Sequence, residues 1–499
     1  MLPALAPGPL GEGRSMSRSV DEPPAGEPRV RKADTLAPPW PSNGVDRPRR
    51  APVSERIAAG RALRDLTPRA EHARWKRQQR QIDPIQLLRA SDEGRVPELV
   101  PIRYGRMLAS PFAFYRGSAG LMAADLAATP TSGIRVQACG DCHLLNFGGF
   151  ATPERNILFD INDFDETLPA PWEWDIKRLA ASFVLAARAL GLSDTEAQET
   201  AVTCARTYRK RLRAYSEQPT LKIWYTYITV EAILARTPRD VGARLQRRFE
   251  KAAKRSGSEL DFPKLTSMVA DKVAIRDAPP LIFHPAGSQE PGFRPRVKRV
   301  LASYRQTLLD ERRVLFDDYE YVDAAMKVVG VGSVGRRCWI VLLMTASKDP
   351  LFLQFKQAVA SVLEPAAGPS VYPHHGQRVV MGQRLIQPAS DLFLGWVTDE
   401  ESGNEYYVRQ LRDAKIKPLI ETFDYETLHH YARMCGWVLA RAHAKGGDGA
   451  SIAGYLGASD TFDEAMGDFG LAYADQAERD HAALKAAVRK GEMSAYTEV

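Results

Sequence analysis

The chain has 499 residues, of which 26% are charged and 44% are hydrophobic, and its net charge is +7. These values are typical of a globular protein with enough chain for a large core. No apolar stretch approaches the roughly 20 residues that a membrane helix requires, so we expect a soluble protein with no membrane partner. The five cysteines form an odd, sparse set, which is consistent with reduced thiols and a cytoplasmic location.

The N-terminal residues differ in composition from the rest of the chain. Proline, arginine and glycine recur without periodicity from Pro3 to Pro52. Such a segment cannot bury enough apolar surface to offset the entropy of ordering it. We therefore expect a disordered arm over residues 1–55, and it lacks the apolar core of a signal peptide.

Basic residues form clusters, among them Arg209 to Arg213 and Arg244 to Lys254. Both of these clusters fall on helix-like stretches, where a solvated helix face explains them. No zinc finger, recognition helix or aromatic-basic RNA motif accompanies them, so we expect no nucleic-acid partner.

The most informative stretch runs from Cys139 to Thr167 and reads CGDCHLLNFGGFATPERNILFDINDFDET. Asp141 and Asn146 lie five residues apart in a loop. A predicted hairpin follows, and its strand-like run Ile157–Ile161 leads to Asp163 in an Asp-Phe-Asp triplet. Phosphoryl transfer needs a carboxylate that orients the attacking hydroxyl, and an amide oxygen and a second carboxylate that hold magnesium. The three polar residues can fill these roles in that order.

This stretch resembles the GD-x-H-x-x-N and DF-D motifs of the aminoglycoside phosphotransferase and choline kinase branch of the protein-kinase-like fold. GDCHLLN corresponds to the first motif and NDFDE to the second. The resemblance implies that Asp141 is the catalytic base and that Asn146 and Asp163 are magnesium ligands, with His143 and Asp165 as accessory residues. It also implies ATP as the phosphoryl donor.

From about Arg103 to Asp480 the chain is similar to the bacterial family known as domain of unknown function 2252. The motifs that carry this similarity are SPFAFYRG, CGDCHLLNFG, DINDFDE, GQRVVMGQR and ASDLFLGW. One position departs from the kinase-like pattern, because Cys139 stands where that loop usually begins with histidine. The roles of Arg103, Arg106 and Arg116 stay open, between contact with substrate and pairing with core carboxylates.

Other interpretations of the same loop also stay open. Cys139, Cys142 and His143 form C-x-x-C-H, the attachment pattern of c-type haem. A zinc site or a thioredoxin-like dithiol would use the same cysteines. A turn rich in aspartate and asparagine can also simply cap local structure.

A glycine-rich segment provides the second half of a nucleotide site. Gly330, Gly332 and Gly335 fit G-x-G-x-x-G, a weak signal that dinucleotide folds and kinases share. A strand-like run, Cys338–Met344, follows directly, and another, Leu351–Phe355, comes after a turn. A glycine loop between strands favours the phosphate-covering flap of kinases over the helix-opening loop of a dinucleotide fold.

The residue after the run Leu351–Phe355 is Lys356, which resembles the lysine that binds the inner phosphates of the nucleotide. A helix is predicted over Gln357–Leu363, and it offers Glu364 as a possible ion-pair partner of that lysine.

In kinases the flap precedes the catalytic loop, whereas this chain has the reverse order, so we expect a circular permutation. A helix with buried periodicity from Ile176 to Ala187 follows the metal motif, and Asp175 opens it. A second amphipathic helix, Tyr425–His443, would reach the catalytic loop from the C-terminal side.

The sequence thus predicts an α+β, two-lobed, circularly permuted protein-kinase-like fold. The predicted segments are an arm (1–55), a helical catalytic part (56–270), a connection (271–320), a β-rich flap lobe (321–410) and C-terminal helices (411–499). The predicted function is a magnesium- and ATP-dependent phosphotransferase whose acceptor, a small molecule or a protein hydroxyl, is unknown. The alternative is a nucleotide-binding pseudokinase that regulates a protein partner.

Overall fold

The protein was analysed as a computed structural model, which describes residues 50–76, 80, 82–235, 242–243, 246–247, 258–269, 272–411 and 416–496. Most of the predicted disordered arm lies outside these residues, and a helix already begins at Val53. The helices and strands form a mixed α+β fold.

Helices before the glycine-rich segment have the following bounds: α1 (Val53–Leu66), α2 (Pro84–Ala90), α3 (Val100–Leu108), α4 (Pro111–Gly117), α5 (Ala119–Leu126), α6 (Trp172–Ala189), α7 (Asp194–Ser216), α8 (Thr220–Tyr225), α9 (Val230–Leu234), α10 (Ser258–Leu265), α11 (Phe293–Arg305) and α12 (Asp310–Asp317). Those after it are α13 (Glu364–Ala367), α14 (His375–Ile386), α15 (Tyr425–Gly446), α16 (Gly449–Leu456) and α17 (Thr461–Arg489). Within the described residues, no helix combines the length and the apolar character needed to cross a membrane.

The strands are β1 (Arg135–Ala138), β2 (Phe147–Ala151), β3 (Ile157–Ile161), β4 (Leu168–Pro171), β5 (Thr266–Val269), β6 (Lys272–Ile275), β7 (Ile282–Phe283), β8 (Glu320–Lys327), β9 (Cys338–Met344), β10 (Pro350–Gln357), β11 (Gly395–Asp399) and β12 (Asn404–Gln410). An antiparallel sheet has the order β11-β12-β10-β9-β8-β7. Pairs β1-β4, β2-β3 and β5-β6 form small sheets of their own.

The large sheet contains the predicted arrangement of strand, glycine loop, strand, turn and strand. The prediction of a strand over Cys338–Met344 is confirmed, and the predicted run Leu351–Phe355 lies within β10. Side chains alternate between the two faces of a strand. Leu353 and Phe355 therefore pack against α11 and α12, whereas Lys356 faces the opposite side.

The largest core is helical and is built around α6, α7, α15 and α17. The predicted helix with buried periodicity is confirmed as α6, in which Ile176, Leu179 and Phe183 are fully buried. The predicted second helix is confirmed as α15. Its N-terminus is capped by Asp424, which accepts a hydrogen bond from the Thr427 N–H at 2.8 Å.

Two predicted segments have a different structure. The predicted helix over Gln357–Leu363 is wrong, because Gln357 still pairs within the sheet and the Ala358 N–H donates to the Glu405 carbonyl at 2.8 Å. Helix α13 begins only at Glu364. The predicted connection, 271–320, holds β6, β7, α11 and α12, and these two helices cover one face of the large sheet.

Candidate active site

A cleft of about 440 Å³ lies between the glycine-rich loop and the loops that precede β2 and follow β3. It is lined by most of the residues that the sequence singles out: Asp141, His143, Asn146, Asp163, Asp165, Gly330, Gly332 and Lys356. Gly335 and Glu364 are not among the residues that line it. The cleft has the size of a small-molecule site.

The loop that carries Asp141 starts from a tightly packed turn. Gly140 has φ +88°, and a Cβ there would lie 2.3 Å from the Glu166 carbonyl oxygen, so only glycine fits. Asp175, in the first turn of α6, accepts hydrogen bonds from the Cys139 N–H at 2.8 Å and the Gly140 N–H at 3.0 Å. The backbone ahead of Asp141 is thereby fixed to the helical core.

A buried histidine from α15 completes this support. The Nε2 atom of His443 lies 3.2 Å from Oδ2 of Asp175, and its Nδ1 atom lies 2.8 Å from the Tyr208 hydroxyl. All three side chains are buried. The role of His443 was not predicted from the sequence, although its position at the buried end of an amphipathic helix could be.

The carboxylate of Asp141 has two different environments. Its Oδ1 atom accepts a hydrogen bond from Nε of Arg178 at 2.6 Å, and Nη2 of Arg178 lies 2.6 Å from the same oxygen. Its Oδ2 atom lies 3.8 Å from Nε2 of His143. Burial lowers the pKa of His143 to about 3, so that ring is neutral. One carboxylate oxygen is therefore held by a cation, while the other faces a neutral ring.

Asn146 and Asp163 present oxygen atoms to the cleft. The Nδ2 group of Asn146 donates to the backbone carbonyl of Asp141 at 2.8 Å, which orients the amide and keeps Oδ1 for another partner. Burial opposes ionisation of Asp163, but the charges of Lys356 and Arg409 lower the pKa of its carboxyl below the usual value. Carboxylate and amide oxygens are ligands that magnesium prefers.

The glycine-rich loop connects β8 to β9, and residues outside the large sheet form hydrogen bonds with its backbone. Gly330 has φ +70°, and a Cβ on Gly332 would lie 3.1 Å from the Arg116 carbonyl oxygen. Nη1 of Arg106 donates to the Gly330 carbonyl at 2.6 Å, and the Val96 N–H donates to the Gly335 carbonyl at 2.8 Å. Gly332 and Gly330 thus bring backbone close to the cleft, whereas Gly335 lies against the segment before α3.

Lys356 pairs with an aspartate of the metal motif. Its Nζ atom lies 2.6 Å from Oδ2 of Asp165, and the Tyr407 hydroxyl donates to Oδ1 of that carboxylate at 2.5 Å. Burial opposes protonation of Lys356, but Asp165 is the main group that raises the pKa of its ammonium above the usual value. Glu364 instead accepts a hydrogen bond from the Ser361 N–H at 3.1 Å.

Most of the chain, including most of the cleft, matches the model of a known family. Residues 95–487 match the family model described as "Uncharacterized protein conserved in bacteria (DUF2252)". The chain belongs to the DUF2252 family. No curated protein and no solved structure matches the chain. The matched span begins at Arg95 in the cleft wall and includes every cleft residue predicted from the sequence.

Two buried cysteines of this DUF2252 chain, Cys139 and Cys142, lie in the loop that carries Asp141. Cys139, Cys142 and Asp175 each place a potential ligand atom within 4.8 Å of the others. Both oxygens of Asp175, however, already accept hydrogen bonds from backbone N–H groups. Burial raises the pKa of the Cys142 thiol to about 12 and raises that of Cys139 well above its usual value. Buried, protonated thiols in this position are consistent with core packing.

Proposed function

We propose that the protein is a magnesium- and ATP-dependent phosphotransferase that acts on a hydroxyl acceptor. One observation carries the proposal: a single cleft is lined by Asp141, Asn146 and Asp163 together with Gly330, Gly332 and Lys356 from a distant part of the chain. Phosphoryl transfer depends mainly on positioning and charge neutralisation, which need this combination of groups.

The chemistry of each side chain fits its proposed role. Gly330 and Gly332 let backbone N–H groups approach the phosphates of ATP, and Lys356 lies beside them as the inner-phosphate cation. Oδ1 of Asn146 and the ionised Asp163 carboxylate would hold magnesium, which neutralises phosphate charge when bound. Oδ2 of Asp141 orients the acceptor hydroxyl and takes its proton, since Arg178 already holds the other oxygen.

We infer that the fold is a circularly permuted relative of the protein kinases. The order of strand, glycine loop, strand and lysine-bearing strand in the large sheet supports this inference. The C-terminal end of α15 also supports it, because Gly447 forms a β-bridge with Val136 of β1, next to the loop that carries Asp141. A helix that ordinarily precedes the catalytic loop would therefore meet it from the other end of the chain.

A second candidate function is a nucleotide-binding regulator without turnover. The ion pairs of Asp141 with Arg178 and of Lys356 with Asp165 favour it, because both proposed working groups already have partners. A regulator would bind MgATP but would not transfer its γ-phosphoryl group.

Release or transfer of labelled phosphate from γ-labelled ATP separates the two candidates. We expect wild type, supplied with a cell extract as the source of acceptor, to exceed Asp141→Ala by about 10² or more. Asp141→Ala should bind MgATP as wild type does, because Asp141 contacts the acceptor. Wild type, Asp141→Ala and Asp163→Asn could all show the same background labelling while wild type still binds MgATP. That result would contradict the phosphotransferase and support the regulator.

A further inference from the structure

Arg116 differs from the other arginines of the cleft in its hydrogen bonds. Arg95 donates to the Val334 carbonyl, Arg103 to the Asp92 carboxylate at 2.7 Å, and Arg336 to the Glu93 carbonyl at 2.8 Å. Arg116 also lines the cleft and is half-buried, and its Nε atom is buried without a hydrogen-bond partner among the described residues. Nε of Arg103 is buried without a partner too, but its two Nη atoms donate to Asp92 and to the Gly117 carbonyl. A buried N–H group without a partner is costly, so its retention points to an anion that binds at this edge of the guanidinium group.

The position of Arg116 is fixed by its neighbours in α4. Tyr115 is buried, and its hydroxyl donates to the Arg178 carbonyl at 2.8 Å, while Nη2 of Arg178 donates back to the Tyr115 carbonyl at 3.0 Å. On the other side, Nη2 of Arg103 donates to the Gly117 carbonyl at 3.0 Å. The backbone that carries Arg116 is therefore anchored to the same helix that holds Asp141.

The charges that act on Arg116 come from two residues of the proposed active site. Burial lowers the pKa of its guanidinium, and the two opposing charges are those of Asp141 and Asp163, the proposed base and the proposed metal ligand. An arginine remains protonated in spite of such a shift. Its backbone carbonyl also lies under Gly332 of the glycine-rich loop. Arg116 thus shares the cleft with Asp141, Asp163 and Gly332, the groups that would surround the phosphoryl group during transfer.

We propose that Arg116 is a further catalytic residue, whose guanidinium binds the non-bridging oxygens of the phosphoryl group while it is transferred. This inference rests on the proposed function. In the step, the acceptor oxygen forms a bond to the γ-phosphorus, and the bond from that phosphorus to the β–γ bridging oxygen breaks. The bond's electron pair leaves on ADP, and the acceptor proton passes to Asp141. Arg116 exchanges no proton and stabilises charge on the planar phosphoryl group, as fixed cations do in such reactions.

The test uses MgADP with and without aluminium fluoride, because the fluoride complex imitates the planar phosphoryl group. Dissociation constants are measured by calorimetry on the full chain for wild type, Arg116→Gln, Arg116→Lys and the control Arg89→Gln. Arg89 belongs to α2, and its exposed guanidinium donates to the Glu492 carbonyl at 2.8 Å. Its substitution removes the same charge outside the cleft.

We expect aluminium fluoride to tighten MgADP binding to wild type and to Arg89→Gln by about tenfold or more. Arg116→Gln should lose this gain while its affinity for MgADP alone stays within about threefold of wild type. Arg116→Lys should recover part of the gain at most, since an ammonium group cannot bind two oxygens in the fork geometry. Thermal melting followed by circular dichroism checks that each variant is folded. If Arg116→Gln does not fold, the comparison of Arg116→Lys with wild type tests the inference.

Three results would overturn the inference. Aluminium fluoride could leave MgADP binding to wild type unchanged, the Arg116 variants could keep the full gain, or they could lose affinity for MgADP alone by as much as for the fluoride complex. Failure of wild type to bind MgADP or MgATP at all is a different result, which contradicts the proposed function itself.

Discussion

Lys356 and Asp165 form an ion pair of 2.6 Å although 191 positions separate them in the sequence. The pair joins β10 of the large sheet to the loop that follows β3, and Tyr407 holds the same carboxylate from β12. It is therefore the contact that fixes the lysine of the glycine-loop sheet beside the metal motif. Its partner, Asp165, was predicted only as one of two accessory residues, and the predicted partner, Glu364, instead accepts a hydrogen bond from the Ser361 N–H.

Removal of the Asp165 charge should destabilise the fold more than removal of the Glu364 charge. Asp165→Asn leaves the buried ammonium of Lys356 without its closest counter-charge, and we expect a loss of about 2 kcal/mol or more in the free energy of unfolding. Glu364→Gln keeps an acceptor for the Ser361 N–H and should cost less than about 1 kcal/mol. Urea unfolding of both variants measures the difference. Equal losses would contradict the importance of the pair.

The support that His443 gives to Asp175 predicts a second stability effect. His443→Ala removes a buried ring and leaves the Tyr208 hydroxyl and one oxygen of Asp175 without that partner, so we expect a loss of about 3 kcal/mol. His429 lies on the same helix, is half-buried, and contacts Thr203 Oγ1 at 3.2 Å. His429→Ala should cost less than about 1 kcal/mol. A loss for His443→Ala no larger than for this control would show that the support is dispensable.

The effect of magnesium on ATP binding should depend on the carboxylate of Asp163. In thermal-shift measurements with ATP, Asp163→Asn should lose most of the stabilisation that wild type gains in magnesium, and the two proteins should agree in EDTA. Asp310, whose side chain is 92% exposed, provides a charge-matched control in Asp310→Asn. Identical shifts for wild type and Asp163→Asn in magnesium would remove Asp163 from the metal site.

Acid should weaken the fold through His143. Its pKa is lowered to about 3 in the folded protein, whereas an unfolded histidine has a pKa of about 6.5. The unfolded chain takes up the proton first, so the stability due to neutral His143 is present above pH of about 6.5 and is lost as pH falls toward 3, at up to about 1.4 kcal/mol per pH unit. His143→Asn should therefore flatten the decline of Tm between pH of about 6.5 and 4.5.

His284 provides a control of opposite sign. The hydrogen bond to Asp323 raises its pKa to about 9, so its contribution is present below the unfolded pKa of about 6.5 and is lost as pH rises through 9. His284→Asn should change Tm on the alkaline side of neutrality and leave the acid slope unchanged. An acid slope that is the same in wild type and His143→Asn would contradict the account of His143.

The elements that could be predicted from the sequence are those with strong local patterns. The β-branched, apolar run of β9 fits a strand, and the apolar periodicity of α6 and α15 fits a helix. The prediction of a helix over Gln357–Leu363 failed because these residues fit a helix locally, whereas pairing with β12 extends the strand to Gln357. Tertiary pairing of this kind leaves no trace in a short window of sequence.

The site could be predicted only in part for the same reason. Asp141, Asn146 and Asp163 lie in one stretch with recognisable spacing, and the structure brings them into one cleft. Arg178 and His443 reach the same loop from two helices that are far apart in the chain. Their roles depend on how these helices pack, and an arginine or histidine on a helix has no local signal of such a role.

A crystal structure with magnesium and a non-hydrolysable ATP analogue tests the central claim most directly. We predict that the triphosphate lies between the glycine-rich loop and Lys356, with magnesium bound by Oδ1 of Asn146 and the carboxylate of Asp163, and with the terminal phosphate facing Asp141. A nucleotide bound away from this cleft, or no nucleotide bound at millimolar concentration, would contradict the claim.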